Sequence, residues 1–214
     1  MVNDQIKIKY LDSSNKRKNK KIIRDITKIH QNSFKGFFLS FLGPRFLYRL
    51  YSCIADYGDG ILIVAEESDQ VVGFVAGVTD QKSFYNYLIR KHKWSFAISA
   101  IPAVLKKPSI IPRLIRALKK PREAEDYSSG VLLMSIGVDP KFQGRKIGEI
   151  LINEFCRELI KRGCKDFCLT TDRDNNEKAN NFYKKTGFKL IRTFKTPEGR
   201  AMNEYLKILE EQDK

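Results

Sequence analysis

The spacing of apolar residues along the first half of the chain predicts a strand, two helices and a hairpin. Ile6 to Leu11 alternates as a strand does, and Asn19 to Phe34 carries four isoleucines at helical spacing. The aromatic-rich stretch Phe37 to Ala55 predicts a second helix. Two apolar runs at 61–67 and 71–79, separated by a short polar turn, predict an antiparallel hairpin.

The second half of the chain alternates between strand and helix patterns. Its predicted elements are a strand at Val131 to Val138, a helix at Ile147 to Arg162 ended by Gly163, a strand at Asp166 to Thr171, a helix at Asn176 to Thr186, and a strand pair at Phe188 to Phe194 and Met202 to Leu209. The first of these strands is almost continuously apolar, so we expect it to be buried on both faces. This order predicts an α/β fold in which helices cover a mixed sheet.

A long segment between the two halves, at about 82–125, predicts two or three short helices interrupted at proline, each with an apolar stripe and a basic face. A chain of 214 residues is long enough for one substantial core. We therefore predict a single domain over residues 1–214, with a helical insertion at about 82–125.

The basic charge of the chain is concentrated in this insertion. The formal net charge is +15, and eleven Lys and Arg but no Asp or Glu lie between Lys82 and Arg122. Nucleic-acid binding is disfavoured, because the apolar residues there are spaced for helix burial instead of interleaving exposed aromatics with charge. Three interpretations stay open: a flap packed on the domain, a contact with an anionic membrane through 82–120, or a cover over a phosphate-bearing acceptor.

The compartment and the absence of a metal are predicted from simple patterns. No apolar stretch reaches the roughly 20 residues that span a bilayer, and the first residues lack the apolar core of a signal peptide. We expect a cytoplasmic protein. The four cysteines show no CxxC spacing, so we expect buried thiols and no metal site.

The loop Gln143-Gly144-Arg145-Lys146-Ile147-Gly148 carries the first chemical signal. It lies at the predicted start of a helix, where free backbone amides and the helix dipole favour anions. The two glycines allow close approach of the backbone, and the two basic residues add charge. A pyrophosphate would fit, although a glycine-containing turn before a helix also occurs for purely structural reasons.

A second motif, TTDRDNNEKANNFYKKTGF, follows downstream and makes the pattern specific. Together with the loop, it resembles the GNAT superfamily of acetyl-CoA-dependent N-acetyltransferases. The family pattern Q/R-x-x-G-x-G/A is matched by Gln143, Lys146 and Gly148, with Lys in place of the usual central Gly. The pattern N-x-x-A-x-x-x-Y falls on Asn176, Ala179 and Tyr183. The resemblance covers about the last 85 residues and implies a mixed, mostly antiparallel sheet flanked by helices.

The resemblance also implies roles for individual residues. Those implied in binding acetyl-CoA are Ile136, Val138, Gln143, Gly144, Arg145, Lys146, Ile147, Gly148 and Asn176. Ile136 and Val138 would offer backbone groups to the pantetheine arm where their strand splays from its neighbour. Tyr183 would protonate the departing thiolate after direct attack by a deprotonated amine. The structural alternative for Tyr183 is a packed aromatic between Phe182 and Phe188.

The sequence assigns no general base. The candidates are Glu66, Glu67, Asp126, Asp172, His30 and His92, and the favoured interpretation of each is a solvated or capping side chain. A water chain could act in place of a side-chain base.

The acceptor is indicated by the stretch from His30 to Tyr51. It resembles helices of GNAT enzymes associated with bacterial surface-glycan gene sets, which implies a small-molecule amine such as an amino sugar carried on a nucleotide or lipid. Acetylation of protein N-termini or lysines stays open as an alternative function. So do, in a different class, a non-catalytic acyl-CoA-binding module and a nucleic-acid-binding module.

Overall fold

A computed structural model of the protein describes residues 6–117 and 128–210, and its centre is a seven-stranded sheet. The strands are β1 (Lys7–Leu11), β2 (Gly60–Glu67), β3 (Gln70–Val78), β4 (Leu132–Val138), β5 (Asp166–Asp172), β6 (Lys189–Lys195) and β7 (Ala201–Ile208). Their order is β1-β2-β3-β4-β5-β7-β6. Every neighbouring pair is antiparallel except β4 and β5, which are parallel. The predicted mixed, mostly antiparallel sheet is confirmed.

Helices cover both faces of this sheet. They are α1 (Lys16–Ser33), α2 (Phe38–Leu42), α3 (Pro44–Asp56), α4 (Gln81–Tyr87), α5 (Lys93–Lys106), α6 (Ile111–Ala117), α7 (Ile147–Lys161) and α8 (Glu177–Lys185). One core lies under α1 and α3, around Ile26, Leu47 and Phe74. The other lies under α7 and α8, around Phe155 and Phe167. In the described ranges no helix is both long and apolar enough to cross a bilayer.

The single helix predicted at Phe37 to Ala55 is wrong, because the chain breaks between α2 and α3. Gly43 has φ +91°, a conformation open to glycine but strained for other residues, and Pro44 is the first residue of α3. Proline suits that first helical position because its missing N–H would have no partner there. The Gly-Pro pair therefore ends one helix and begins the next.

The prediction that β4 is buried on both faces is also wrong for its second half. Leu132 and Leu133 are buried, whereas Met134, Ser135, Ile136 and Val138 are only partly buried. The register with β3 shifts between Ala76 and Gly77, which leaves Met134 as a bulge in β4. Because β5 does not follow β4 beyond its beginning, one side of the strand stays open.

The insertion is helical as predicted over the part that the structure describes. A π-helical turn at Leu88–His92 joins α4 to α5, and α5 continues through Pro102 until Lys107. Helix α5 contacts the domain through Ala100, Ala103 and Phe96, whose ring centroid lies 4.9 Å from that of Phe46, while Trp94, Ile98, Ile101 and Leu105 are exposed. The predicted residues 118–125 of the insertion lie outside the described ranges.

Candidate active site

The parallel strands β4 and β5 are paired at one position of the described chain and then diverge. That position joins Leu132 to Cys168, and the Cys168 amide donates to the Val131 carbonyl at 2.9 Å. On the other side of β4, the Asp139 amide donates to the Val72 carbonyl of the β3 strand. Backbone groups alternate in direction along a strand, so those of Val138 and Ile136 point toward the opening. The Val138 carbonyl accepts a hydrogen bond from the Ser33 hydroxyl.

The loop after β4 is exposed from Gln143 to Lys146 and leads directly into α7. Gly144 has φ +81°, and Lys146 has φ +57° and ψ 12°, so both adopt left-handed backbone conformations. Such a conformation costs a residue with a side chain about 1 to 2 kcal/mol. Lys146 therefore holds a backbone conformation that glycine adopts without this cost.

Ile147 and Gly148 connect the loop to the core. The Ile147 side chain is buried, so only its backbone can face a ligand. A Cβ at Gly148 would lie 3.2 Å from the ring of Phe182 on α8. The absence of a side chain at Gly148 therefore lets the first turn of α7 pack closely against α8.

Arg145 does not point freely toward an anion, because it is paired with a carboxylate. Its guanidinium makes two hydrogen bonds to Glu67 at the end of β2, at 2.8 and 2.5 Å. The same guanidinium lies 5.5 Å from the Phe142 ring. A bidentate pair of this kind fixes orientation as well as charge. Arg145 therefore anchors the loop to the sheet, and its charge is already neutralised by Glu67.

Tyr183 lies on α8 among other aromatic rings. Its ring centroid is 5.5 Å from that of Phe182, 5.5 Å from Phe188 and 5.8 Å from Tyr205, and the residue is 9% exposed. Burial raises the pKa of Tyr183 above its usual range. The phenol is therefore protonated at neutral pH, as a proton donor must be. The ring also packs between Phe182 and Phe188, so the alternative of a purely structural aromatic stays open.

Asn176 caps the start of α8 and is bonded to the end of β5. Its side-chain amide donates to the Thr171 hydroxyl at 2.7 Å and to the Asp172 carbonyl at 3.1 Å. These bonds hold the turn between β5 and α8 in place. Any contact of Asn176 with a cofactor therefore comes from a side chain that is already oriented.

A buried amide network beside this turn was missed by the sequence reasoning. Asn180 donates to the carbonyls of Asp172 and Asn176, and its Oδ1 accepts from Asn203 and from the Tyr205 hydroxyl, both at 2.9 Å. The only signal in the sequence was a second asparagine four residues after Asn176, on the same helix face. The network ties α8 to β5 and β7.

The carboxylates proposed as general bases are paired. Glu66 pairs with Lys9, Glu67 with Arg145, and Asp172 with Arg200, whose Nε lies 3.0 Å from the Asp172 Oδ1. His92 Nε2 lies 2.9 Å from the Tyr87 hydroxyl. Asp126 lies outside the described residues. Every described carboxylate candidate is therefore held in an ion pair, and none of the three stands free to act as a base.

His30 belongs to a buried hydrogen-bonded chain that reaches β4. Its Nδ1 lies 2.6 Å from the Tyr51 hydroxyl, which donates to the Ser135 hydroxyl at 3.2 Å. Within the described ranges, Nε2 of His30 is buried without a hydrogen-bond partner. Burial lowers the pKa of His30 to about 4, so the ring is neutral at physiological pH. The chain connects α1 and α3 to the strand that borders the opening.

A cavity of about 620 Å³ lies between the α1–α2 connection, the insertion and the β6–β7 hairpin. Its lining residues are Gln31, Lys35, Gly36, Phe37, Phe38, Ser40, Phe41, Lys107, Ile110, Arg113, Asp172 and Arg200. Four of them are cationic and one is anionic, and that one, Asp172, is paired with Arg200. Asp172 is also the last residue of β5, so the cavity adjoins the strand that diverges from β4.

Among the cations of this cavity, Arg113 packs against an aromatic ring and lacks an ion-pair partner in the described ranges. Its Cζ lies 3.9 Å from the centroid of the Phe38 ring, and it forms no ion pair among residues 6–117 and 128–210. Burial, followed by the nearby Arg200 charge, lowers the pKa of Arg113. A partly desolvated guanidinium of this kind is a favourable site for an anion.

Side chains that could bind a metal ion are not grouped together in the described part of the chain. In that part no group of three or more His, Cys, Asp or Glu side chains is arranged to hold a metal ion.

Comparison with known proteins identifies the fold. Residues 114–188 match the model of the Acetyltransferase (GNAT) family. The ribosomal-protein-S18-alanine N-acetyltransferase from Escherichia coli is 12% identical, with a TM-score of 0.57, over 98% of this chain and 97% of that one. Aminoglycoside 6'-acetyltransferase type Ii is 15% identical, with a TM-score of 0.61, over 97% and 99%. An aminoglycoside 6'-N-acetyltransferase complexed with coenzyme A is 14% identical, with a TM-score of 0.56, over 97% and 99%. A comparison with curated proteins gave no match.

Proposed function

We propose that this chain, an acyltransferase with a GNAT acetyltransferase fold, moves the acetyl group of acetyl-CoA directly to a primary amine of a phosphate-bearing amino sugar. The observation that carries the first half of this proposal is the divergence of β4 from β5 beside the loop that begins α7. An opening in a sheet exposes backbone amides, and a helix start attracts phosphate. Together they suit a ligand with an amide-containing arm and a pyrophosphate.

The residues present fit acetyl-CoA. The backbones of Ile136 and Val138 would pair with the pantetheine amides, and the backbone of Gln143 to Gly148 would surround the pyrophosphate, with added charge from Lys146. Arg145 would hold the loop through Glu67, and Asn176 would hydrogen-bond the arm. When bound, acetyl-CoA supplies a thioester that an amine can attack.

Tyr183 would complete the transfer. As a neutral amine displaced the sulfur of the thioester, the Tyr183 hydroxyl would give its proton to that departing sulfur. Because burial raises the pKa of Tyr183, the protonated phenol is the resting form at neutral pH. The proton lost by the amine would leave through water, since the three described carboxylate candidates, Glu66, Glu67 and Asp172, are held in ion pairs.

The cationic cavity supports the phosphate-bearing acceptor. Lys35, Lys107 and Arg113 surround a space that also offers the rings of Phe37 and Phe38. Guanidinium and ammonium groups bind phosphate, while aromatic rings pack against sugar rings. A positive cavity also disfavours polycationic acceptors, because like charges repel. This charge distinguishes the proposed acceptor from an aminoglycoside.

The proposal is tested by measuring release of free coenzyme A from acetyl-CoA with four acceptor classes. These are nucleotide-linked amino sugars, the same sugars without phosphate, aminoglycosides, and peptides with free N-termini or lysines. Turnover should be highest with the phosphate-bearing sugars. Arg113→Gln should lower kcat/KM for them by about 10- to 100-fold, as expected for loss of a charge-assisted hydrogen bond.

The matched control is Lys178→Gln, which removes an exposed charge from α8 away from the cavity. It should leave kcat/KM for the same acceptor within about twofold. Preference for peptides over every sugar would instead favour a protein acetyltransferase. No binding of acetyl-CoA by calorimetry would remove the enzyme function altogether.

A further inference from the structure

Helix α5 presents an apolar stripe to the outside of the molecule. Its members are Trp94, Ile98, Ile101 and Leu105, whose spacing of four, three and four places them on one helix face. Trp94 is 73% exposed and Leu105 is 77% exposed. The opposite face packs on the domain through Ala100 and Ala103. Phe96 packs on that inner face as well, so α5 is apolar on both faces, and the four residues of the stripe are the ones left exposed.

Positive charge surrounds this stripe. Arg90, Lys91 and Lys93 lie exposed at its beginning, and Lys106 and Lys107 lie exposed at its end. The sequence has no Asp or Glu from residue 82 to residue 117. On the neighbouring α6, Ile111 and Ile115 add two further exposed apolar side chains. An exposed apolar strip bordered by unopposed cations is typical of a helix that lies on an anionic bilayer.

A second cavity opens beside the stripe, between α1, α3 and α5. Its volume is about 730 Å³, and its lining residues are Arg24, Thr27, Lys28, Gln31, Pro44, Arg45, Tyr48, Arg49, Ser95, Ile98 and Ser99. Four of these residues are cationic and none is acidic. Ile98 belongs both to the stripe and to the cavity wall. A molecule that covers the stripe therefore also faces a basic, hydroxyl-lined cavity.

We propose that the outer face of α5 docks on a membrane of anionic phospholipid. The stripe enters the boundary between headgroups and acyl chains, and Arg24, Arg45 and Arg49 hold lipid phosphates in the adjoining cavity. A second copy of the chain fits this face poorly, because a two-fold interface would bring the same cations against each other. Nucleic acid fits poorly as well, because the stripe is mainly aliphatic and offers little stacking surface.

The chain contains its own reporter for this proposal, because Trp94 is its one tryptophan. Adding vesicles of phosphatidylcholine mixed with phosphatidylglycerol should shift Trp94 emission to shorter wavelength and should sediment the protein. Vesicles of phosphatidylcholine alone should do neither at low salt. Raising the salt concentration should weaken the binding, because screening shortens the reach of the basic residues.

Two double variants separate the stripe from the cavity. Ile98→Ser with Leu105→Ser, and Arg45→Gln with Arg49→Gln, should each lower the partition coefficient about tenfold or more. The matched controls change exposed residues elsewhere: Leu190→Ser with Ile208→Ser, and Lys178→Gln with Lys185→Gln. Both controls should bind vesicles as the parent does. All of the substituted positions are exposed, and thermal melting checks that each variant is folded.

Three outcomes would overturn the proposal. The first is unchanged Trp94 emission together with no co-sedimentation at low salt. The second is equal loss of binding in the controls, which would reduce the effect to general surface charge or general apolar surface. The third is a dimer in sedimentation velocity that the Ile98→Ser, Leu105→Ser variant dissociates while no vesicle binding occurs, because the stripe would then be an interface between two copies.

Discussion

Replacing His30 with asparagine should remove most of the pH dependence of stability on the acid side of neutrality. His30 is buried against Phe34 and Phe74, and its ring bonds to Tyr51. Burial lowers its pKa to about 4 because the charged ring loses its hydration. Asparagine can keep a hydrogen bond to Tyr51 but has no proton to gain in this range.

The expected magnitude follows from the two pKa values of His30. The unfolded chain takes up a proton near pH 6.5, whereas the folded chain resists doing so until the pH approaches about 4. The stability that neutral His30 contributes is therefore complete above pH 6.5 and is lost as the pH falls toward 4. By about pH 5 the loss is about 2 kcal/mol.

Urea unfolding at a series of pH values measures this loss. The parent should lose about 2 kcal/mol of unfolding free energy between about pH 8 and about pH 5 beyond what His30→Asn loses. The asparagine variant also loses packing, but that loss is the same at every pH and cancels from the slope. His92→Asn is the matched control, since the chain has two histidines, and it should keep most of the parent's slope. Parallel curves for the parent and His30→Asn would refute the buried neutral histidine.

Three further substitutions test the catalytic role of Tyr183, the backbone strain at Lys146 and the buried network of Asn180. Tyr183→Phe should lower kcat by about 100-fold or more while acetyl-CoA affinity by calorimetry stays within about twofold, and unchanged turnover would make Tyr183 a packing residue. Lys146→Gly should raise the free energy of unfolding by about 1 kcal/mol in urea, because glycine adopts the left-handed conformation freely; a loss would contradict that backbone strain. Asn180→Ala should lower it by about 2 to 4 kcal/mol, because the Tyr205 hydroxyl and two carbonyls lose a buried partner, and a change below about 0.5 kcal/mol would refute the network.

Most strands and helices could be predicted because their apolar periodicity reports the face that each buries. The predictions were wrong where the burial of an element depends on which other element packs beside it. Val131 to Val138 is apolar enough to be buried on both faces, but β5 diverges and leaves half of β4 open. The stripe of α5 has helical spacing, and spacing alone does not tell whether that face meets the domain or the outside. The break at Gly43 and Pro44, by contrast, was readable from the Gly-Pro pair itself.

The sequence predicted where the candidate site residues lie along the helices and strands. It did not predict which side chains they pair with. The loop and Asn176 lie at helix starts, as local sequence rules require. The pairing of Arg145 with Glu67, however, joins residues 78 positions apart, and that of Asp172 with Arg200 joins residues 28 positions apart. From the sequence alone, Arg145 was expected to supply charge to a phosphate, and the carboxylates were candidates of which none was assigned as a base. The fold brings opposite charges together in both cases.

The insertion links the two proposed sites, because neighbouring parts of it line both cavities. Ile98 lines the cavity beside the exposed stripe, and Lys107 lines the cavity that adjoins β5. Nine helical residues span about 14 Å, so a bilayer touching Ile98 lies close to the acceptor cavity. On these two proposals, docking concentrates a lipid-linked amino sugar at the site but offers nothing to a soluble nucleotide sugar. The outward stripe therefore favours the lipid-linked acceptor over the nucleotide-linked one. Exposing Trp94 and Leu105 to water is unfavourable, and only an acceptor at a membrane would make use of the docking that covers them.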